Sequence, residues 1–325
     1  MAFDGTSHSI RGLPSLESQI KLGYTIKRNV AHPFSLTLKD FRNLIVLGER
    51  AKDIYYLFLS QLCDQLQIPI VVLKEDKEDA LENLICETPI WHLDVELNQI
   101  TLNPVGFGDE ATPIHARILA SLLSDVYQLS PNAQKLLQMA IGNTILTSST
   151  PSLQELRQHL LGHRAPKAAH KELGSLLEAL DKARLFGSFD NISLGRFHSV
   201  PTILTVPKNT RGHLIANLLL LKLLACQGAA LPPLVLFDPP LNPLLMELLA
   251  RNYAVCGDFL LFLDSQGRLP KLDPLIPHNL VISALQATSP YYQELTDDEH
   301  RLLESHHDLV AIKLFETPTQ IVNIF

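Results

Sequence analysis

Short, unbroken apolar runs alternating with stretches of helical spacing constrain this chain more than any other feature. Residues 43–48 (NLIVLG), 68–73 (IPIVVL), 202–206 (TILTV), 234–237 (LVLF) and 259–263 (FLLFL) show no in-out alternation of apolar and polar side chains. A strand with one wet face alternates. Runs like these are buried on both faces, the situation of parallel strands with helices above and below. Helical spacing fills several gaps, at 53–67, 210–225 and 242–251, and further strand-like runs stand at 90–93, 100–102, 280–284, 310–315 and 320–325. The pattern predicts an α/β protein with a mostly parallel central sheet.

Between residues 112 and 186 the strand pattern stops. Leu, Ile and Ala recur at i, i+3, i+4 through 114–127, 131–146, 152–161 and 170–185. Ser130-Pro131 and Thr150-Pro151 read as helix starts, a small polar cap followed by proline. The expected organisation is a lead-in at 1–35, the first half of an α/β core at 36–111, an inserted all-α subdomain at 112–188 and the second half at 189–325. Some 46% apolar residues over 325 positions suffice for such a core.

Charge excludes some function classes. With 27 Lys+Arg against 34 Asp+Glu the net charge is −7, so no global positive field draws the molecule to DNA or anionic lipid. Cys63, Cys86, Cys226 and Cys256 lie far apart without a C-x-x-C pair, as expected of buried thiols in a reduced compartment. The N-terminal residues lack the pattern of a signal peptide, and the greasiest stretch, 214–226, is broken by Asn217 and Lys222 and is too short to span a bilayer. A soluble, cytoplasmic protein is expected.

The strand that ends at Gly48 and runs into a helix is where a phosphate-binding loop, G-x-x-x-x-G-K-[ST], belongs. The sequence there is Gly48-Glu49-Arg50-Ala51-Lys52-Asp53-Ile54-Tyr55. Asp53 takes the place of the second glycine, Ile54 that of the lysine and Tyr55 that of the magnesium-binding hydroxyl. A carboxylate about 4 Å from a phosphate charge is repelled by roughly 4 kcal/mol at an effective dielectric near 20. Ile54 removes the cation that would offset this, and Lys52 stands two positions early. An ordinary strand–turn–helix is the competing reading of this octet. The second half of the chain counts against it. The apolar strand 234–237 ends in Asp238, placed to order a magnesium ion's water, but Pro239 occupies the position of a catalytic Glu. The strand 259–264 runs into Ser265-Gln266, where a polar group would face a γ-phosphate.

Taken in order, these segments resemble the HerA/FtsK superfamily of P-loop ATPases, in particular HerA-type helicases and type IV secretion ATPases. The resemblance rests on Leu22-Gly23-Tyr24, Phe34-Ser35-Leu36 and the 42–48 run before the loop, 68–73 as second strand, Leu102-Asn103-Pro104, Phe237-Asp238, and 257–266 ending in Gln266. It covers the chain from about residue 20 onward and implies a RecA-like P-loop core. The departures at Asp53, Ile54, Tyr55 and Pro239 imply a fold retained and hydrolysis lost. Ala254-Val255-Cys256 stand where the family often carries basic residues, leaving Arg251 as the nearby candidate. The N-terminal β-barrel of the HerA branch is not expected, since only about twenty residues precede the core.

Other constellations weigh less. His159 and His163 are four apart with His170 near, but Gly162 and Pro166 end the helix there, so no metal site is expected. Arg157, Arg164, Lys167 and Lys171 form the densest basic stretch, either a solvated loop or a DNA or partner contact. Lys208, Arg211 and His213 open a helix, as a surface turn or an anion site. Residues 297–300 and 306–308 read as polar surface, and Trp91 as core. No G-x-S-x-G or G-x-G-x-x-G occurs, so a serine hydrolase has no support.

The expected function is that of a catalytically inactive HerA/FtsK-like subunit, structural or regulatory, in a DNA-processing, DNA-transfer or defence complex. Its partner would be an active ATPase, a nuclease or another subunit, in a homo- or hetero-oligomer. DNA would be contacted only indirectly or through a local patch. No cofactor is expected, and the loop chemistry disfavours ATP and magnesium. The alternatives are a divergent ATPase whose site uses Lys52 or Arg50 and is completed by a partner, and a direct DNA-binding module.

Overall fold

The computed structural model describes residues 19–27, 30–37, 40, 43–48, 51, 53, 54, 57, 61, 69–75, 90–107, 112–148, 151–182, 186, 187, 189–225, 234–237, 241–256, 260–264, 276, 278–283, 291–306, 309–314 and 318–324. Its strands are β1 (Gln19–Lys27), β2 (Val30–Thr37), β3 (Leu44–Leu47), β4 (Val71–Lys74), β5 (Trp91–Asp94), β6 (Thr202–Thr205), β7 (Leu234–Phe237), β8 (Leu260–Asp264), β9 (Asn279–Ile282), β10 (Leu309–Lys313) and β11 (Gln320–Ile324). They form one sheet in the order β2-β1-β11-β10-β9-β3-β8-β7-β4-β6-β5. From β9 to β5 every neighbouring pair is parallel, and from β9 outward to β2 every pair is antiparallel.

The parallel strands are buried as their composition requires: β3, β4 and β9 are buried at every position. Alternate residues enter two apolar layers. Ile45, Leu47, Val71 and Leu73 face the layer built by the helices, and Leu44, Val46 and Val72 face a second layer that contains Ala51 and Ile54. Each such side chain stabilises the fold by roughly 2 kcal/mol on burial.

The described residues form seven α-helices: α1 (Pro113–Tyr127), α2 (Pro131–Thr147), α3 (Leu153–Gly162), α4 (Lys167–Lys182), α5 (Thr210–Ala225), α6 (Pro243–Cys256) and α7 (Asp297–Ser305). The first four lie between β5 and β6, the all-α insertion that the spacing predicts. Ser130 caps α2 with Pro131 behind it, as expected. For α3 the cap differs from the expected Thr150-Pro151 start. Ser152 accepts from the Glu155 amide and the Glu155 carboxylate accepts from the Ser152 amide, an S-x-x-E capping box. The Ser148 hydroxyl, ahead of the Ser152 bonds, holds the Glu155 carboxyl below its usual range.

Several expectations are corrected. Residues 19–35, read as part of the lead-in, contribute to two strands of the sheet, β1 and β2. Residues 100–102 form no full strand but a single bridge, Leu102 to Phe186. Residues 297–300 begin α7, capped by Thr296, and His300 turns inward and is buried. Trp91 is only partly buried at the β5 edge, with the Arg196 guanidinium 4.1 Å over its ring. Among the described residues no helix is long and apolar enough to cross a membrane.

The insertion joins the core through a neck of two segments. The Gly187 amide donates to the Leu102 carbonyl at 3.1 Å, the Asn191 amide to the Thr101 carbonyl at 3.1 Å, and the Asn103 amide to Asp190 Oδ1 at 2.7 Å. Asn103 Nδ2 donates to the Pro151 carbonyl at 2.7 Å, which ties the neck to the start of α3. Gly106 allows this packing, since a Cβ there would sit 2.7 Å from Asn103 Nδ2. Lys222 of α5 pins both segments to the core. Its buried ammonium donates to the Gly106 carbonyl and to Asp190 Oδ2 (3.0 Å), 5.3 Å over the Phe107 ring. The Lys222 side chain is 2% exposed and that of Asp190 is 23% exposed. Asp190→Ala removes a carboxylate partner of the buried ammonium, and the unfolding free energy in urea is expected to fall by about 3 kcal/mol. Lys222→Met is expected to lose less, because Asp190 keeps the Asn103 amide and some water.

Candidate functional site

Parallel pairing sets the carboxyl ends of β3, β8 and β7 side by side, with Leu47 opposite Asp264 and Phe237 opposite Leu263. The chain leaves β3 onto the layer of Ala51 and Ile54, and leaves β6 and β7 onto the opposite layer, that of α5 and α6. In an open α/β sheet, divergence of this kind opens a crevice at the strand ends, where ligands bind.

At its centre is the bend after β3. Gly48 has φ 99°, a left-handed conformation that glycine adopts without strain, and the Ala51 amide donates to its carbonyl at 3.0 Å to close the turn. Residues 51, 53, 54 and 57 are helical. Ala51 and Ile54 are fully buried in the second apolar layer, while Asp53 is exposed. Ile54 therefore spends its side chain on the core. Glu49, Arg50, Lys52, Tyr55, Asp238, Pro239 and Gln266 lie outside the described residues; β7 ends at Phe237, one residue before Asp238, and β8 at Asp264, two before Gln266.

Farther along the same edge of the sheet, after β6, the start of α5 uses its own residues as caps. Asn209 Oδ1 accepts from the Gly212 amide at 2.9 Å, and a Cβ on Gly212 would stand 1.9 Å from the Pro207 carbonyl oxygen. His213 Nε2 lies 2.7 Å from Glu75 Oε1. Of Lys208, Arg211 and His213, read as a surface turn or an anion site, His213 faces a carboxylate and Lys208 is exposed.

A cavity of about 420 Å³ opens where α1, α5 and α6 meet, lined among others by Asp125, His213, Asn217 and Asn242. Asn242 caps α6, receiving the Leu244 amide at 3.0 Å. Its own amide donates to Asn217 Oδ1 (2.8 Å) and its Nδ2 to Asp125 Oδ2 (2.8 Å). Sequence reasoning gave neither asparagine a role, although Asn217 interrupts an apolar helix, the usual sign of a buried polar contact. Asn43 was missed likewise: its Nδ2 donates to the Ala250 carbonyl at 2.9 Å and ties α6 to the start of β3.

The basic candidates do not gather into one uncompensated patch. Arg157 pairs with Asp181 and Arg251 with Glu247 (2.7 Å), while Arg164, Lys167 and Lys171 are exposed along the α3–α4 turn and α4. Neighbouring Glu172 is occupied by the Ser130 amide at 2.9 Å. His159 and His163 meet Thr147 and Asn143 of α2, at 3.3 and 3.0 Å, and His170 meets the His163 carbonyl at 3.1 Å. Among the described residues no three metal-ligating side chains converge.

His115, the third residue of α1, is 4% exposed and tilts against Phe107. Its Nδ1 accepts from the Thr112 amide at 3.0 Å, and its Nε2 is buried with no partner among the described residues. Burial holds the imidazole below its ordinary value. The unfolded chain therefore binds the proton more readily than the folded one. The stability is present in full above pH 6.5, the unfolded value, and is lost as pH falls from there toward the lowered folded value. His115→Gln is expected to flatten this slope, so urea titrations should show the wild type losing its advantage over the variant as the solution is acidified.

Ile54→Lys tests the direction of that side chain. Forced into the apolar layer, an ammonium is expected to cost several kcal/mol, on the order of 3, measured by urea unfolding.

No protein-family model matches the chain, and no curated protein sequence matches it. Solved structures do share its fold. VirB4 of Thermoanaerobacter pseudethanolicus superposes with a TM-score of 0.67 at 12% identity, over 95% of this chain and 96% of that one. The plasmid coupling protein TrwB, in complex with ADP and Mg2+, superposes with a TM-score of 0.56 at 12% identity, over 95% of each chain. The bacterial conjugative coupling protein TrwBΔN70 with sulphate gives 0.55 at 12% identity, over 88% and 86%. The chain has the RecA-like P-loop fold with a mostly parallel sheet and an inserted helical subdomain, as the resemblance implied.

Proposed function

We propose that this protein is a non-catalytic member of the HerA/FtsK-like group, a structural or regulatory subunit of a DNA-processing, DNA-transfer or defence complex in the cytoplasm. The observation that carries the reading is the complete burial of Ile54 where the resemblance places a lysine. Exposed Asp53 next to it offers a triphosphate a negative charge in place of a glycine amide, and Pro239 stands where a base would activate water. In this reading Gly48 to Tyr55, Asp238, Pro239 and Gln266 are the remnants of a nucleotide site, and neither ATP nor magnesium is a resident cofactor. The protein acts by association, with an active ATPase, a nuclease or another subunit as partner. Arg164, Lys167 and Lys171 offer a local contact for DNA or that partner, Arg157 and Arg251 being engaged in ion pairs.

A second reading, a divergent ATPase completed by a partner, draws on the conformation of Gly48, whose φ of 99° is open to a close backbone approach by phosphate. One experiment separates them. The purified protein, with millimolar ATP and magnesium, is expected to release no phosphate above the Asp238→Ala variant and to show no thermal stabilisation. A ligand at a hundredfold excess over its Kd would add about 2.7 kcal/mol. Magnesium-dependent turnover that Asp238→Ala abolishes would overturn the proposal.

A further inference from the structure

Thirteen residues after Gly48, the side chain of Gln61 reaches across to β1. Gln61 is 6% exposed, and its carboxamide bonds twice to one residue of β1. The Lys21 amide donates to Gln61 Oε1 at 2.9 Å, and Gln61 Nε2 donates to the Lys21 carbonyl at 2.8 Å. Nε2 also lies 3.5 Å from the Leu57 carbonyl. A carboxamide carries the same donor and acceptor as a peptide unit, so the pair reproduces the double exchange of an antiparallel rung.

The rung stands beside an irregularity of the ladder. Among the described residues, β11 pairs with β1 at Gly23↔Ile324 and Tyr24↔Asn323. On the other side, the β1–β2 register shifts between Lys21 and Gly23, the mark of a bulge. Ile54 and Ala51 hold the near end of the segment by apolar packing, which is non-directional and tolerates sliding. Two hydrogen bonds to one peptide position do not tolerate it.

We propose that Gln61 is a positioning residue, a side-chain rung that locks the segment leaving the Gly48 bend to β1, so that the bend and the antiparallel wing move as one unit. The inference rests on these contacts and holds whether or not nucleotide is hydrolysed.

Residue-resolved amide hydrogen exchange on the full chain tests it, with Lys21 reporting the wing, Ala51 the bend and Val72 in β4 the centre of the sheet. In Gln61→Leu, exchange is expected to rise about tenfold or more at both Lys21 and Ala51 and to stay unchanged at Val72, the signature of a local opening. Gln61→Glu supplies the conservative variant. At neutral pH its carboxylate accepts the Lys21 amide but opposes the Lys21 carbonyl without a proton, so protection is expected to drop at both reporters. In acid the neutral carboxyl group both donates and accepts, and protection is expected to return to that of the wild type at the same pH. Unchanged exchange at Ala51 in the Leu variant would overturn the coupling. So would a Glu variant that shows no recovery in acid.

Discussion

Parallel strand pairing from β9 to β5 is the constraint on which the rest of this molecule depends. Parallel neighbours cannot be joined by a hairpin, so each connection must cross a face of the sheet. The crossings cover both faces, and strands covered on both faces must be apolar throughout. That requirement accounts for fully buried β3, β4 and β9, and for helices α5 and α6 on one layer with Ala51 and Ile54 on the other. It also creates the crevice, because strands running one way bring their carboxyl ends to one edge, where chains leaving to opposite faces part.

The helical insertion follows a different logic. Its four helices share the apolar layer of the core, with α1 packed on α5. Its orientation is set by polar contacts at the neck, where Asn103, Asp190 and Lys222 satisfy one another and the backbone around Gly106. Apolar packing holds the two bodies together without specifying an angle, whereas a buried ammonium with two fixed acceptors does specify one. The Asn242–Asp125 bond does the same work at the cavity mouth, so α1 is tied to the core at both ends: through His115 and Phe107 at its start and through Asp125 near its finish.

The bend after β3 is held by the protein's own groups. The turn closes through its own backbone at Ala51 and Gly48, and the following segment is anchored by Ile54 in the core and by Gln61 on β1.

The parallel sheet and the helical insertion were legible in the sequence because both are consequences of local spacing. Unbroken apolar runs mark doubly covered strands, and i, i+3, i+4 recurrence marks helices, wherever the partners come from. The bend at Gly48 was legible for a similar reason, since a strand ending in glycine before a helix has few alternatives. β1 and β2 escaped notice because they lie in the wing, where one face is wet, and because Pro33 and the bulge near Leu22 blur their alternation. Only the tertiary structure could assign Asn43, Asn103, Asn217 and Lys222 their partners. A polar side chain in an apolar stretch announces that it must be satisfied, but its tertiary partner is 25 to 207 residues away. Side-chain direction at Ile54 and the pairing of Gln61 with Lys21, 40 positions earlier, were decided in the same way. Residue type along the chain sets what must be buried or bonded; which groups meet is set by the packing of strands and helices far apart in sequence.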